Sequence, residues 1–312
     1  NFDKTSGFYN KPNIEKIGTS GQFITSPEIS SLFSIAITNQ FLKEFPKVKN
    51  VNLLELGPGN GLLSMDIYDY LKSKNVIVND LTLLEKSEYF REKISEKSEV
   101  KVNFIKNIYD YKIDNGDVVF IYSNEFFDAI GSKQFIYDNG NFNEIKISKN
   151  NDEYLLIKDS TIISRELLNI YSSYNFKDND ILEHSNLILN ILSDIQKLEF
   201  KKYFFTTTDY GYTKLPFKST LRLLSNHKKL NLFDKFENVD YSFGVNFELM
   251  NSFFLKNNPS IIYQKDLILN NLPSEYLKSS DKNIKEMIDL ISGKKFGGMG
   301  TSFLNLSFKK NE

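Results

Sequence analysis

Apolar and polar positions change period several times along the chain, and each change marks an element. At 18–45, GTSGQFITSPEISSLFSIAITNQFLKEF, a glycine-punctuated stretch leads into Ile29, Leu32, Phe33, Ala36 and Phe41, which share one helical stripe. Ser26 suits the cap of that helix and Pro27 its first position. Short apolar blocks follow: VNLLEL (51–56), LTLLE (81–85), VNFI (102–105) and DVVFIYSNE (117–125). Each has the length and the β-branched content of a buried strand, and an amphipathic segment running to about Leu71 separates the first two. Strands alternating with helices predict a parallel sheet with crossovers. KQFIYDNGNFNEIKIS (133–148) predicts a hairpin turning at DNGN, and 150–200 reads as mostly helical and polar. Strands return at 202–212, 260–269 and 302–310. No repeat or low-complexity linker divides the chain. The expected organisation is one domain over 1–312, with 1–50 as a loop-helix cap and 133–200 as a hairpin and helical insertion.

The most informative stretch is NLLELGPGNGLLSMD (52–66). A strand ends at Glu55, and Gly57, Gly59 and Gly61 follow with Pro58 and Asn60 between them. A turn stripped of side chains between strand and helix lets a ligand approach the backbone N–H groups and the helix N-terminus. Two ligand classes use such a turn. A dinucleotide site needs G-x-G-x-x-G; Gly57 and Gly59 fit, but Leu62 occupies the third position and Pro58 is foreign to that turn. An S-adenosyl-L-methionine site uses E/D-x-G-x-G-x-G, which ELGPGNG satisfies at every fixed position. Glu85 closes the next strand, where a carboxylate accepts both ribose hydroxyls. Glu55 is placed to orient the turn or meet an amino group.

Composition narrows the chemistry. The 312 residues carry 39 basic and 40 acidic side chains, net −1, so no broad positive field exists to hold nucleic acid. Cysteine is absent and only His184 and His227 are present, which leaves no thiolate nucleophile, no disulfide and no expected metal site. No apolar run approaches the roughly 20 residues a membrane-spanning helix needs. No signal peptide is read, and the expected compartment is a bacterial cytoplasm, or the mitochondrial matrix if a transit segment precedes Asn1.

Two further stretches carry candidate chemistry. SNEFFDAI (123–130) ends the fourth strand, so Asn124, Glu125 and Asp128 fall at the carboxyl end of a parallel sheet, where ligands bind. The same residues suit a helix cap and first turn. Thr25, Pro27 and Glu28 form either a capped helix start or a loop closing on cofactor and substrate. Asn107 to Asp110, after the third strand, suit an adenine-edge loop.

Segments SGQFITSPEISSLF (20–33), LLELGPGNGLLSMDI (53–67), LLEKSEYFREK (83–93) and SNEFFDAIGSKQF (123–135) together resemble the MidA family of S-adenosylmethionine-dependent methyltransferases. DYGY with STLRLLSNHKK (209–229), VDYSFGVNFELM and the ending GGMGTSFLNLSF resemble it more weakly. The chain departs from the family at Gln22, where Asp is usual, and at Gly131, where Pro is usual. The resemblance implies a class I methyltransferase: an α/β, doubly wound, Rossmann-like and mostly parallel sheet with an antiparallel last strand. It implies S-adenosyl-L-methionine as cofactor, the glycines at its methionine end, Glu85 at the ribose and no metal. Mitochondrial members of that family are complex I assembly factors that methylate a protein arginine. A protein substrate, such as a respiratory complex I subunit, is therefore implied, with Glu125, Asp128 and Asn124 gripping the guanidinium. Methylation of a small amine, and a cofactor-binding assembly role with little turnover, remain open alternatives.

Overall fold

The computed structural model describes residues 9, 16–18, 21, 24–113, 118–151, 153–160, 165–225, 228–234, 239–293 and 299–311. Gln22 and His227 lie outside the described residues.

The N-terminal helix is two helices, α1 (Ser26–Ile29) and α2 (Leu32–Glu44), separated by Ser30 in extended conformation. Ser26 does not cap: Thr25 holds the N-cap position, Ser26 and Pro27 are helical, and no side chain caps the end. The Ser26 hydroxyl is instead 3.0 Å from Gln264 Nε2. Then come β1 (Asn50–Leu56), α3 (Leu62–Ser73), β2 (Ile77–Leu84), α4 (Glu88–Lys97), β3 (Asn103–Ile105) and β4 (Val118–Asn124). A small-sheet region follows, with β5 (Lys133–Asp138), β6 (Asn141–Asn150), β7 (Glu153–Asp159), α5 (Arg165–Ile170) and β8 (Ile181–His184). From it α6 (Asn186–Gln196) leads back to β9 (Lys202–Tyr212). Short strands β10 (Arg222–Ser225), β11 (Lys228–Lys229), β12 (Asp240–Ser242) and β13 (Val245–Asn246) precede α7 (Phe247–Phe253). The chain continues through β14 (Ser260–Tyr263), α8 (Gln264–Asn271), α9 (Ser274–Leu277), α10 (Lys282–Ser292), α11 (Met299–Ser302) and β15 (Phe303–Asn311).

The main sheet has the order β14-β15-β9-β4-β1-β2-β3, with β13 paired to β9. β3, β2, β1, β4 and β9 run parallel, and β15 runs antiparallel to both β9 and β14. The expected doubly wound sheet with an antiparallel last strand is therefore present. Its order reverses between β1 and β4, which opens a crevice beyond their carboxyl ends.

Alternate residues of these strands feed two cores. Val51, Leu53, Phe120, Tyr122 and Phe204 pack on one face with α2, α3, α8 and α10. Leu54, Leu56, Val119, Ile121 and Phe205 pack on the other with α6 and α7. Phe41 of α2 stacks on Phe120 with ring centroids 4.5 Å apart, which fixes α2 against the sheet centre.

Two further expectations fail. Residues 150–200 are not mostly helical: β7 and β8 complete a four-stranded sheet, β7-β6-β5-β8, around the predicted hairpin. The hairpin turn holds Asn139 and Gly140 at φ 49° and 82°, the primed-turn geometry that matches strand twist. β7 pairs along β6, while Tyr154 to Ile157 remain exposed, so no burial rhythm marks it in the sequence. The strand expected at 260–269 stops at Tyr263, and Gln264 turns the chain into α8 so that Leu267 and Ile268 bury together at helical spacing.

Candidate functional site

The crevice at the carboxyl ends of β1, β2 and β4 holds a cavity of about 440 Å³. The turn after β1 forms one wall. Gly57, Gly59 and Gly61 have φ of 66°, 54° and 79°, conformations that cost a residue with a Cβ energy. The turn is closed by Gly57 N–H donating to Leu84 O at 3.0 Å and Gly61 N–H donating to Pro58 O at 2.8 Å. Space is as restrictive as conformation: a Cβ on Gly59 would stand 2.6 Å from Ile17 Cδ1, and one on Gly57 2.4 Å from Phe126 Cδ2. Gly57, Pro58 and Gly59 line the cavity; Gly61 does not, and serves as the N-cap residue of α3.

Glu55 and Glu85 line the same cavity from neighbouring strands. Ser64 of α3 donates its hydroxyl to Glu55, and the Ser64 and Tyr122 hydroxyls stand 2.7 Å apart. Burial pushes the Glu55 carboxyl up to about 8. Glu85 follows β2 and accepts the Ser87 N–H at 2.7 Å. Burial raises it to about 7, against the Ser87 and Lys86 backbone N–H groups that favour its charged form.

Thr25, Pro27 and Glu28 reach the cavity from α1. Asn60 ties them to the glycine turn, its Nδ2 donating to Glu28 Oε1 at 2.9 Å and to Ile17 O at 3.3 Å. Asn124 and Glu125 line the cavity from the end of β4, and Asp128 stands outside its lining. No helix follows β4, so the capping role considered for Asn124 and Asp128 does not arise; residues 127–130 form a turn closed by Ile130 N–H donating to Phe127 O at 3.2 Å. Glu125 has φ 51°, and its N–H donates to Thr208 O at 2.9 Å. Its carboxyl accepts Asn124 Nδ2 at 3.1 Å and the Ser26 backbone N–H. Burial, then the charge of Asp128, raises it to about 8.

Behind Glu125 the fold gathers three more acids. Asp209, fully buried on β9, accepts the N–H groups of Phe127 and Asp128, each at 3.2 Å. Asp240 of β12 accepts the Tyr9 hydroxyl at 3.0 Å, and Tyr9 lines the cavity. Burial and the neighbouring Asp209 and Asp240 hold Asp128 well above the usual carboxylate range; Asp209 is raised by burial to about 7 and Asp240 to about 6. Burial and mutual repulsion favour the protonated forms of these carboxyls, and a nearby cation favours the ionised ones. Asp209, Asp240 and Tyr9 are site residues that sequence reasoning missed. The single acid within KYFFTTTDYGY was the available signal for Asp209. Tyr9 offered none, since its partner lies 231 residues away. Gly131 also lines the cavity, and its carbonyl accepts the Ser185 hydroxyl at 2.8 Å.

Residues 36–260 match the profile of a family described as "Putative S-adenosyl-L-methionine-dependent methyltransferase". The mitochondrial protein arginine methyltransferase NDUFAF7 homolog of Caenorhabditis elegans is 26% identical over 270 residues, which are 77% of this chain and 63% of that protein. A Burkholderia thailandensis crystal structure with S-adenosyl-homocysteine bound superposes with a TM-score of 0.79 at 16% identity, covering 98% of this chain and 84% of that one. A second crystal structure from the same organism gives a TM-score of 0.75 at 17% identity, over 93% of this chain and 82% of its own. This likeness concerns the fold. No helix among the described residues is long and apolar enough to cross a membrane.

Proposed function

The chain belongs to this family of S-adenosyl-L-methionine-dependent methyltransferases, and we propose that it methylates a guanidinium nitrogen of an arginine in a protein substrate. The observation that carries the arginine reading is the set of four acids, Glu125, Asp128, Asp209 and Asp240, at the ends of β4, β9 and β12 beside the cavity. The Caenorhabditis relative, named a protein arginine methyltransferase, supports it.

The cofactor is S-adenosyl-L-methionine, which when bound supplies a methyl group already activated on a sulfonium. The residues present fit that group: the glycine turn brings bare backbone to the cavity wall at Gly57 and Gly59, and Glu85 stands one strand away with a carboxylate. Gly57, Pro58 and Gly59 would hold the methionine portion, with Gly61 setting the helix start, and Glu85 would accept the ribose hydroxyls. Glu55, held by Ser64, would orient the turn or meet the amino group. Thr25, Pro27 and Glu28 would close the cavity from the α1 side.

A guanidinium binds a carboxylate along one edge in bidentate fashion, and its nitrogens are weak nucleophiles because their electrons are delocalised. Glu125 would grip one edge and aim a remaining nitrogen at the methyl group. It would also stabilise the positive charge that develops there, and the acids behind it would take up the proton released. Asn124, donating to Glu125, fixes the carboxyl plane. Asp128 would act through Asp209 and Glu125, without itself touching substrate.

Within this proposal the substrate is a protein, a respiratory complex I subunit being the type the MidA resemblance suggests. The compartment is a bacterial cytoplasm or, if a transit segment precedes Asn1, the mitochondrial matrix. The stretch 133–200 acts as an insertion beside the substrate side. The test is transfer of labelled methyl from the cofactor in cell extract, with hydrolysis of labelled protein. Label in one protein band recovered as methylarginine supports the proposal. Label in small molecules alone would make the substrate a small amine, and absence of transfer would leave a cofactor-binding assembly role.

A further inference from the structure

The segment STLRLLSNHKK (219–229), which carries β10 and β11, has no part in the chemistry described so far. From Lys214 to Val239 the sequence holds six basic residues against two acidic ones, in a chain whose net charge is −1. β10, β11 and β12 form a separate sheet in the order β11-β10-β12. Residues directly opposite each other in an antiparallel pair point to one face, as do residues two apart along a strand. Leu224 stands opposite Asp240 on one side and Lys229 on the other, and Arg222 is two residues from it. Arg222, Lys229 and Asp240 therefore share a face. That face meets the acids: the charge of Asp240 acts on Asp128 and Glu125, and Arg222 Cζ lies 3.4 Å from the centre of the Tyr210 ring, next to Asp209. Arg222 is half-buried and Lys229 exposed, and neither has a carboxylate partner among the described residues. Asp234, in the same stretch, accepts the Asn231 N–H at 2.7 Å within its own turn.

We infer that this face of the β10–β12 sheet docks a carboxylate of the substrate protein, carried about three residues from the arginine that enters the cavity, with Arg222 and Lys229 as its partners. The inference rests on the reading of Glu125 and the acids behind it as the arginine site. Negative charge at the cavity beside unpaired positive charge on the adjoining face is complementary to a segment of the reverse order, a cation with an anion next to it. A half-buried guanidinium has lost part of its hydration, and its planar fork receives a carboxylate through two hydrogen bonds. The spacing follows from the sheet. β11 lies two strand spacings from β12, roughly 10 Å, which an extended chain spans in about three residues. A lysine at that position of the substrate would face Arg222 and Lys229 and be repelled, so the face would select among arginines by their neighbours.

The test is fluorescence anisotropy on the full chain, saturated with S-adenosylhomocysteine, using labelled glycine-serine peptides that carry a single arginine. In one series Glu, Gln or Lys stands three residues before the arginine, and in a second series three residues after it. Wild type is expected to bind the Glu peptide of one series about fivefold more tightly than its Gln counterpart at low salt, and the preference is expected to shrink as salt screens it. Lys229→Glu is expected to bring that preference to within about twofold and to bind the Lys peptide of the same series more tightly than wild type does; a general loss of folding would not produce that gain. Arg222→Gln is expected to lower the preference as well. Equal binding of the Glu and Gln peptides in both series, or a preference that neither variant alters, would overturn the docking face and leave the arginine site intact. Binding that survives replacement of the arginine by norleucine, or absence of binding by every peptide, would overturn the arginine reading, and the docking face with it.

Discussion

Gly57 and Phe126 are in such close approach that a single methyl group on Gly57 would stand 2.4 Å from the Phe126 ring. The contact joins the turn after β1 to the turn after β4, and Phe126 adjoins Glu125. Any side chain at 57 must therefore push the ring and, through it, the end of β4.

Gly57→Ala should consequently lose both stability and cofactor binding. The left-handed φ of 66° alone costs a residue with a Cβ about 1–2 kcal/mol, and the ring displacement adds to it. Thermal melting should fall by several degrees, and calorimetric affinity for S-adenosylhomocysteine should drop tenfold or more. Gly140→Ala, also at positive φ but with open space around it, should melt slightly lower and bind the cofactor product as wild type does. Equal binding by Gly57→Ala would remove the turn from the ligand path.

Cofactor affinity should depend on pH through Glu85. Its carboxyl, raised by burial to about 7, must be ionised to accept two ribose hydroxyls, and protonation removes that capacity. Apparent affinity should therefore rise as pH increases, by about tenfold between pH 6 and pH 8. Glu85→Gln should bind more weakly and largely flatten that rise. A wild-type profile independent of pH over this range would place the ribose elsewhere.

The buried acids also predict a direction for stability. Glu125 is raised to about 8, Asp209 to about 7 and Asp240 to about 6, all above their unfolded values. A carboxyl raised on folding contributes stability that is present below its unfolded pKa and is lost as pH rises through the folded one. The ligand-free chain should melt several degrees lower at pH 9 than at pH 5. Asp209→Asn removes one charge from the group, keeps an acceptor for Phe127 and Asp128, and should flatten the decline between about pH 4 and pH 7. A melting temperature that climbs steadily to pH 9 would contradict the crowding of these acids.

The elements legible in the sequence are those whose signal is local. The glycine turn is written in seven consecutive residues, because each glycine answers a backbone constraint at its own position. β1, β4 and β9 are buried on both faces and carry apolar stretches at Leu53–Leu54, Val118–Tyr122 and Tyr203–Phe205. β7 left no such trace: Tyr154, Leu155, Leu156 and Ile157 are all exposed, so neither face was marked. α8 was hidden because Ile261 and Ile262 run into Leu267 and Ile268 across Gln264, a polar residue that is itself buried and donates to Ile291 O at 2.7 Å. The acids behind Glu125 were missed for a related reason. Asp209 and Asp240 sit in strands whose neighbours suggest core, and the partners that tolerate them, the Asp128 backbone and Tyr9, are distant in sequence.

The central claim is that the Glu125 carboxylate grips the group that receives the methyl. Glu125→Gln keeps the shape, leaves an acceptor for Asn124 and removes the charge. Cofactor affinity by calorimetry and single-turnover methyl transfer to the identified protein substrate should be measured on the same preparation of this variant and of wild type. The expected result is cofactor affinity within about twofold of wild type and a transfer rate reduced by about a hundredfold or more, equivalent to roughly 2.7 kcal/mol of transition-state stabilisation. A transfer rate within a few-fold of wild type, at equal cofactor affinity, would contradict it.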